Sequence, residues 1–147
     1  MDEIRGFDPF LNREFSRAAA AKRLRLMVID DNRAWRDALK ASLSPAYEVI
    51  CRPQGEDALK DIAERQPGLL ILDVSRPGRA GSDLCQKIRA HPTLNSLPIL
   101  FMTARQDGAA IAEGLGAGSD YFIAKPFEIS ALEERVEMLL NGQPSPN

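Results

Sequence analysis

The chain has 147 residues, a net charge of −2, and 44% hydrophobic and 27% charged residues. This length and composition favour a single globular domain, and the small net charge gives no reason to expect a direct nucleic-acid partner or an anionic membrane surface. The longest apolar runs are about six residues, far short of a membrane span. Because the first residues also lack an apolar signal core, we expect a cytoplasmic protein with no membrane partner. Cys51 and Cys85 match no metal or redox spacing and are expected to be reduced core thiols.

Residues 1–24 differ in character from the rest of the chain. Three of the six phenylalanines lie here, and Phe7, Leu11 and Phe15 recur every four residues, so they would share one face of a helix. We expect an N-terminal, helical extension. It packs on its own domain, forms an ordered tail or contacts a partner, and a homodimer through this helix is one form that such a contact would take.

Residues 25–141 alternate between short apolar runs and amphipathic segments, which predicts strands and helices that follow one another. The predicted strands are residues 26–29, 47–51, 69–72, 98–102 and 121–124, and the predicted helices are residues 33–43, 55–65, 82–90, 107–117 and 129–140, with Ser82 as an N-cap. The fourth helix is rich in Ala and Gly, so we expect it to be weak. The pattern implies an α/β fold, a five-stranded doubly wound parallel sheet in a three-layer α/β/α sandwich. Residues 142–147 are expected to be a flexible tail.

The third predicted strand ends in a carboxylate. Four consecutive apolar residues, 69–72, indicate a strand buried on both faces, and Asp73 follows them before a turn at Pro77–Gly78. The carboxyl ends of the strands form the crevice where open α/β sheets hold their sites. We therefore expect Asp73 to be a rigidly held, partly exposed and reactive group, although this stretch taken alone favours a plain strand-end or turn aspartate.

Polar side chains follow three other predicted strands, and all should reach the same edge of the sheet. Asp30 and Asp31 follow the first strand, Thr103 the fourth and Lys125 the fifth. Three carboxylates in one crevice repel each other, and a hard cation such as Mg²⁺ relieves that repulsion. Lys125 provides a positive charge that can bind a phosphoryl group, and Thr103 provides a hydroxyl that can donate a hydrogen bond to it. The set therefore suits transfer of a phosphoryl group onto Asp73.

At this point the sequence resembles the receiver domain of two-component response regulators, which have a flavodoxin-like (CheY-like) fold. The resemblance spans residues 25–140 and lies in the segments 28–32, 70–73 with Pro77, Gly78 and Gly81, 98–104, and 118–127. It implies that Asp73 is the phospho-acceptor and forms a 4-aspartylphosphate. It also implies that Asp30, Asp31, Asp73 and the backbone carbonyl of Ser75 bind Mg²⁺, and that Thr103 and Lys125 contact the phosphoryl oxygens. Phe122, preceded by Tyr121, falls at the switch aromatic, and a cis bond before Pro126 is expected.

The resemblance further implies partners. The phosphate would come from a histidine kinase or a phosphotransfer protein in a phosphorelay. The signal would leave by protein–protein contact, through residues 107–117, the fifth strand and the last helix, to a downstream target protein. We expect no enzymatic activity beyond self-phosphotransfer and autodephosphorylation at Asp73. The chain could also be one piece of a longer regulator.

Other classes of protein fit the residues less well. A flavin carrier of this fold would need small hydroxyl residues and glycine after the first strand, where Asp30 and Asp31 stand. An aspartyl-phosphate hydrolase would need an acid two residues after the nucleophile, where Ser75 stands. The main alternative is a phosphorylation-independent, receiver-like interaction or dimerisation module that uses the Phe-rich leader.

Overall fold

The computed structural model describes residues 24–54, 57–75, 80–104, 116 and 118–141. The strands are β1 (Arg25–Ile29), β2 (Glu48–Arg52), β3 (Leu69–Asp73), β4 (Ile99–Thr103) and β5 (Tyr121–Ala124). The helices within the described ranges are α1 (Arg33–Leu43), α2 (Ala58–Arg65), α3 (Ala80–Ala90) and α4 (Ile129–Leu140). The predictions for the leader and tail fall on residues 1–23 and 142–147, which lie outside these ranges, as does nearly all of the predicted helix at 107–117.

The five strands form one parallel sheet in the order β2-β1-β3-β4-β5, as the flavodoxin-like expectation requires. Apolar side chains of the central strands alternate between two core clusters. One lies under α1 and α4 and includes Leu39 and Val136, and the other lies under α2 and α3 and includes Ile62 and Ile88. The predicted three-layer α/β/α fold is therefore confirmed. Within the described parts of the chain, no helix has the length and apolar character needed to cross a membrane.

The predicted bounds differ from the structure at a few element ends. β2 begins at Glu48 rather than residue 47, and α2 begins at Ala58. The prediction that Ser82 caps α3 is wrong: the helix already begins at Ala80, and Ser82 is buried within it. An Ala-Gly pair is typical of a loop, but Gly81 has no Cβ and so lets the start of this helix pack closely against Val74.

One side chain fixes the ends of β4 and β5 that lie opposite the predicted site. Arg89 of α3 donates hydrogen bonds to the carbonyls of Leu97 (2.7 Å) and Gly118 (2.9 Å) and to Oδ2 of Asp120 (2.8 Å). The same Asp120 oxygen accepts a bond from the backbone N–H of Ile99 at 2.8 Å. Because β5 is held at its start, the lysine that follows it has a defined position at the other end.

Candidate functional site

The ammonium of Lys125 joins the ends of two strands. Its Nζ lies 2.7 Å from Oδ2 of Asp30, which follows β1, and 3.4 Å from Oδ1 of Asp73, the last residue of β3. The three side chains are 8%, 1% and 6% exposed. Three groups widely separated in sequence therefore meet in one almost dry cluster, as the common strand edge predicted.

Asp73 is more enclosed than the sequence suggested. The expectation that it would be partly exposed is wrong, because its strand is the middle one of five and neighbouring groups cover its end. Its Oδ1 accepts hydrogen bonds from the hydroxyl of Ser75 at 2.6 Å and from the backbone N–H of Ser75 at 3.2 Å. Together with Lys125, Ser75 surrounds one oxygen of this carboxylate.

Asp31 occupies the exposed side of the site. Its Oδ1 accepts a hydrogen bond from the backbone N–H of Gln54 at 3.1 Å. The side chain of Gln54 in turn donates to the backbone carbonyl of Asp73 at 2.7 Å. Gln54 thus links the loop after β1 to the end of β3. Sequence reasoning missed it, because a residue between Pro53 and Gly55 is typical of an ordinary turn.

The loop between β1 and α1 is held by its own polar groups. Asn32 donates its backbone N–H to Oδ1 of Asp30 at 2.9 Å, and its side chain caps α1 by accepting from the N–H of Trp35 at 3.0 Å. Arg36 donates to the backbone carbonyls of Asp30 (2.7 Å) and Asp31 (3.1 Å). Asp30 and Asp31 therefore lie on a loop whose backbone is held by hydrogen bonds. Arg36, like Gln54, is a residue of the site that the sequence did not predict.

The ends of β4 and β5 complete the site. Thr103 is buried as the last residue of β4, and its carbonyl accepts a bond from the N–H of Lys125 at 2.7 Å. The next N–H, that of Ala104, donates to the hydroxyl of Ser75 at 2.9 Å. Thr103 is thus placed beside the cluster through backbone contacts, and Ser75 connects β3 to β4 above it.

The two predicted switch aromatics lie on opposite faces of β5. Tyr121 is half-buried on the α1 and α4 side, with the guanidinium carbon of Arg135 4.8 Å from its ring centroid. Phe122 is half-buried on the other side, edge-to-face with Phe101 at a centroid distance of 5.9 Å. Of the two, only Phe122 packs on the α2 and α3 side of the sheet.

An aromatic pair borders the lysine. The Trp35 ring centroid lies 4.6 Å from Nζ of Lys125 and 5.0 Å from the centroid of Phe127, at an interplanar angle of 43°. The peptide bond between Lys125 and Pro126 is cis, as expected. The ammonium therefore has carboxylates on one side and an indole face on another, a contact that periodicity in the sequence could not reveal.

The donor atoms suit a hard cation, although they are not assembled around one. Among the described residues, no three His, Cys, Asp or Glu side chains lie close enough to hold a metal ion as placed. The carboxylates of Asp30, Asp31 and Asp73 and the carbonyl of Ser75 nevertheless offer only oxygen donors, which Mg²⁺ prefers. The ammonium of Lys125 now neutralises two of these acids. The donor chemistry of the set therefore fits Mg²⁺, with the carboxylate of Asp30 bound by both the metal and Lys125.

The sheet order and the acid–lysine cluster at its carboxyl edge define a flavodoxin-like α/β domain of the CheY type. The chain belongs to the response regulator receiver domain family, whose model matches residues 26–137. Response regulator MprA of Mycobacterium avium is 40% identical over 118 residues, which are 80% of this chain and 51% of that protein. The transcriptional regulatory protein AfsQ1 of Streptomyces coelicolor is 37% identical over 116 residues, 78% of this chain and 50% of that protein.

The fold comparison agrees with the sequence comparison. A crystal structure described as that of a response regulator from Chloroflexus aurantiacus matches with a TM-score of 0.75 and 39% identity. The match covers 81% of this chain and 98% of that one. The chain spans about half the length of the curated relatives that it matches. The similarity to those regulators therefore applies to about half of each of them.

Proposed function

We propose that this chain accepts a phosphoryl group on Asp73 from a histidine kinase or a phosphotransfer protein. The observation that carries the proposal is the ammonium of Lys125 between the carboxylates of Asp30 and Asp73 (2.7 and 3.4 Å). A fixed cation beside the acceptor is what a transferring phosphoryl group needs, because catalysis here is mostly positioning and charge neutralisation.

In the proposed step, a carboxylate oxygen of Asp73 attacks phosphorus as the phosphorus–nitrogen bond to the donor histidine breaks. Lys125 and the hydroxyl of Thr103 then bind the transferred oxygens. Asp30, Asp31, Asp73 and the carbonyl of Ser75 would hold Mg²⁺, which supplies positive charge to the phosphoryl oxygens. Receiver domains generally use the metal in this way, and the all-oxygen donor set supports it here.

The proposed signal starts from the added charge on Asp73. Thr103 would move toward the phosphoryl group, and Phe122 would turn further into the space that Thr103 leaves. Such a change alters the face formed by residues 107–117, β5 and α4, where a downstream target protein would bind. The position of Thr103, one residue beyond the pairing partner of Asp73, supports this link.

The test uses acetyl phosphate as a small phosphodonor. With Mg²⁺ we expect acid-stable, base-labile labelling of the intact chain, lost in Asp73→Asn and on chelation of the metal. Asp83→Asn, which changes an exposed aspartate of α3, is the matched control and should label normally.

One observation favours the alternative of a phosphorylation-independent interaction or dimerisation module: the side chain of Asp73 is only 6% exposed. If the intact, folded chain takes no label from acetyl phosphate and binds no beryllofluoride, that module replaces the phospho-acceptor. An unchanged oligomeric state after deletion of residues 1–24 would then exclude dimerisation through the leader.

A further inference from the structure

We propose that Trp35 is a positioning residue of this site, which keeps the ammonium of Lys125 beside Asp73 through a cation–π contact. The inference rests on the proposed phospho-acceptor function and adds a residue to it. Nζ of Lys125 lies 4.6 Å from the Trp35 ring centroid, within the range of about 6 Å over which such contacts act. Tryptophan provides the strongest such contact among the aromatic side chains.

The ring is itself held in place. Trp35 lies in the first turn of α1, where its backbone N–H is bound by the side chain of Asn32. Its ring packs against Phe127, two residues after Lys125. The indole is therefore fixed from both sides of the site, and it borders an ammonium that is only 8% exposed. Burial strengthens an attraction of this kind, because water competes less for the cation.

The contact matters because the other partners of Lys125 must change during the proposed reaction. Asp30, its closest partner at 2.7 Å, is also a proposed metal ligand. When Mg²⁺ takes a share of that carboxylate, the lysine loses part of the interaction that now positions it. The neutral ring of Trp35 is not one of the proposed metal ligands. It therefore continues to hold the ammonium near the position that the phosphoryl oxygens would occupy.

If Trp35 only filled space, the electrostatic potential of its ring would not affect the phosphorylation rate. The two roles can be separated by changing that potential without changing the shape of the ring. Trp35 is the only tryptophan in the sequence, so fluorinated tryptophans supplied during expression replace this ring alone. Each added fluorine weakens the negative potential of the ring face while its shape is nearly unchanged. We expect the rate of Asp73 phosphorylation by acetyl phosphate, at saturating Mg²⁺, to fall stepwise from unsubstituted to tetrafluorinated ring. The same rate should be about tenfold lower in Trp35→Leu, and Trp35→Tyr should retain part of it.

Two controls separate electrostatics from packing. The stability of the fluorinated proteins, measured by urea unfolding, should change much less than their phosphorylation rate. The fluorinated series therefore still tests the inference if Trp35→Leu does not fold. Lys87→Met removes an exposed cation of α3, outside the proposed site and output face, and should leave the phosphorylation rate unchanged.

The outcomes distinguish this inference from the function on which it rests. Labelling of Asp73 at the same rate throughout the fluorinated series would overturn the role of Trp35 and leave the phospho-acceptor intact. Absence of any Asp73-dependent labelling in the unmodified protein would overturn the phospho-acceptor itself, and the role of Trp35 with it.

Discussion

The ammonium of Lys125 lies 2.7 Å from Oδ2 of Asp30, and the two side chains are only 8% and 1% exposed. The residues are 95 positions apart in the chain, and their contact links the end of β1 to the end of β5 at the carboxyl edge of the sheet. A second carboxylate, that of Asp73, lies 3.4 Å from the same ammonium, so Lys125 neutralises two acids of the cluster. Buried charges without a partner cost several kcal/mol each, so this lysine should matter for stability as well as for phosphoryl binding.

Lys125→Met should therefore destabilise the metal-free protein by about 3 kcal/mol, because it leaves two enclosed carboxylates beside each other without the cation. Urea unfolding followed by circular dichroism measures the change. Mg²⁺ should recover more stability in this variant than in the unchanged protein, since the metal would neutralise the same acids. Lys87→Met, at an exposed position of α3, is the control and should change stability by less than about 0.5 kcal/mol. Equal losses in the two variants would show that the cluster does not need its lysine.

Ser75→Ala should tighten Mg²⁺ binding. The hydroxyl of Ser75 donates to Oδ1 of Asp73 at 2.6 Å and so competes with a metal for that oxygen. A net hydrogen bond is worth about 1 kcal/mol, which corresponds to roughly fivefold in affinity. Titration of the Trp35 fluorescence with Mg²⁺ gives the dissociation constants. Ser130→Ala, exposed at the start of α4, should bind as the unchanged protein does. Unchanged or weaker binding by Ser75→Ala would show that the hydroxyl does not compete with the metal.

The sequence predicted the sheet well because most of its strands consist largely of a continuous apolar run next to polar residues. Residues 69–72 and 121–124 are such runs, and the structure places β3 and β5 over them. It also predicted that Asp30, Asp73 and Lys125 meet, because parallel strands end at one edge whatever their side chains. The helix at 33–43 was predicted with its observed bounds, and Asn32 supplies the cap that explains its start.

What the sequence could not provide are contacts between segments far apart in the chain. The link from Gln54 to the carbonyl of Asp73 and the tilted packing of Trp35 against Phe127 join segments whose spacing follows no helical or strand period. The enclosure of Asp73 was missed for the same reason, since it depends on the Ser75 side chain folding back over the carboxylate. Long-range polar and aromatic contacts need the fold first, and they decide the properties of the site.

Stability should fall at alkaline pH through the thiol of Cys85. This side chain is fully buried, and burial raises its pKa above the ordinary value, with nearby Asp120 adding to the shift and Arg89 opposing it. The thiol of the unfolded chain ionises first, near pH 8.5. The stabilising contribution is thus complete below that pH and is lost as pH rises toward the higher pKa of the folded state. Urea unfolding at pH 7, 8.5 and 10 should show a steeper decline for the unchanged protein than for Cys85→Ala; equal declines would contradict the argument.

Gly81→Ala should destabilise the chain and disturb the site from the α3 side. A Cβ at Gly81 would overlap Cγ1 of Val74, the residue after Asp73, and would lie 3.2 Å from Cβ of the same side chain. Since real Cβ atoms do not approach so closely, either α3 or the end of β3 must move, at a cost of about 2 kcal/mol, and phosphorylation of Asp73 should slow as well. Gly116→Ala is the matched control, because a Cβ there meets no atom of the described residues within 4 Å. It should leave stability unchanged or raise it by up to about 1 kcal/mol, as expected for alanine in a helix. Urea unfolding and acetyl phosphate labelling of both variants measure these effects, and a Gly81→Ala protein that is as stable and as readily labelled as Gly116→Ala would refute the close packing inferred between α3 and β3.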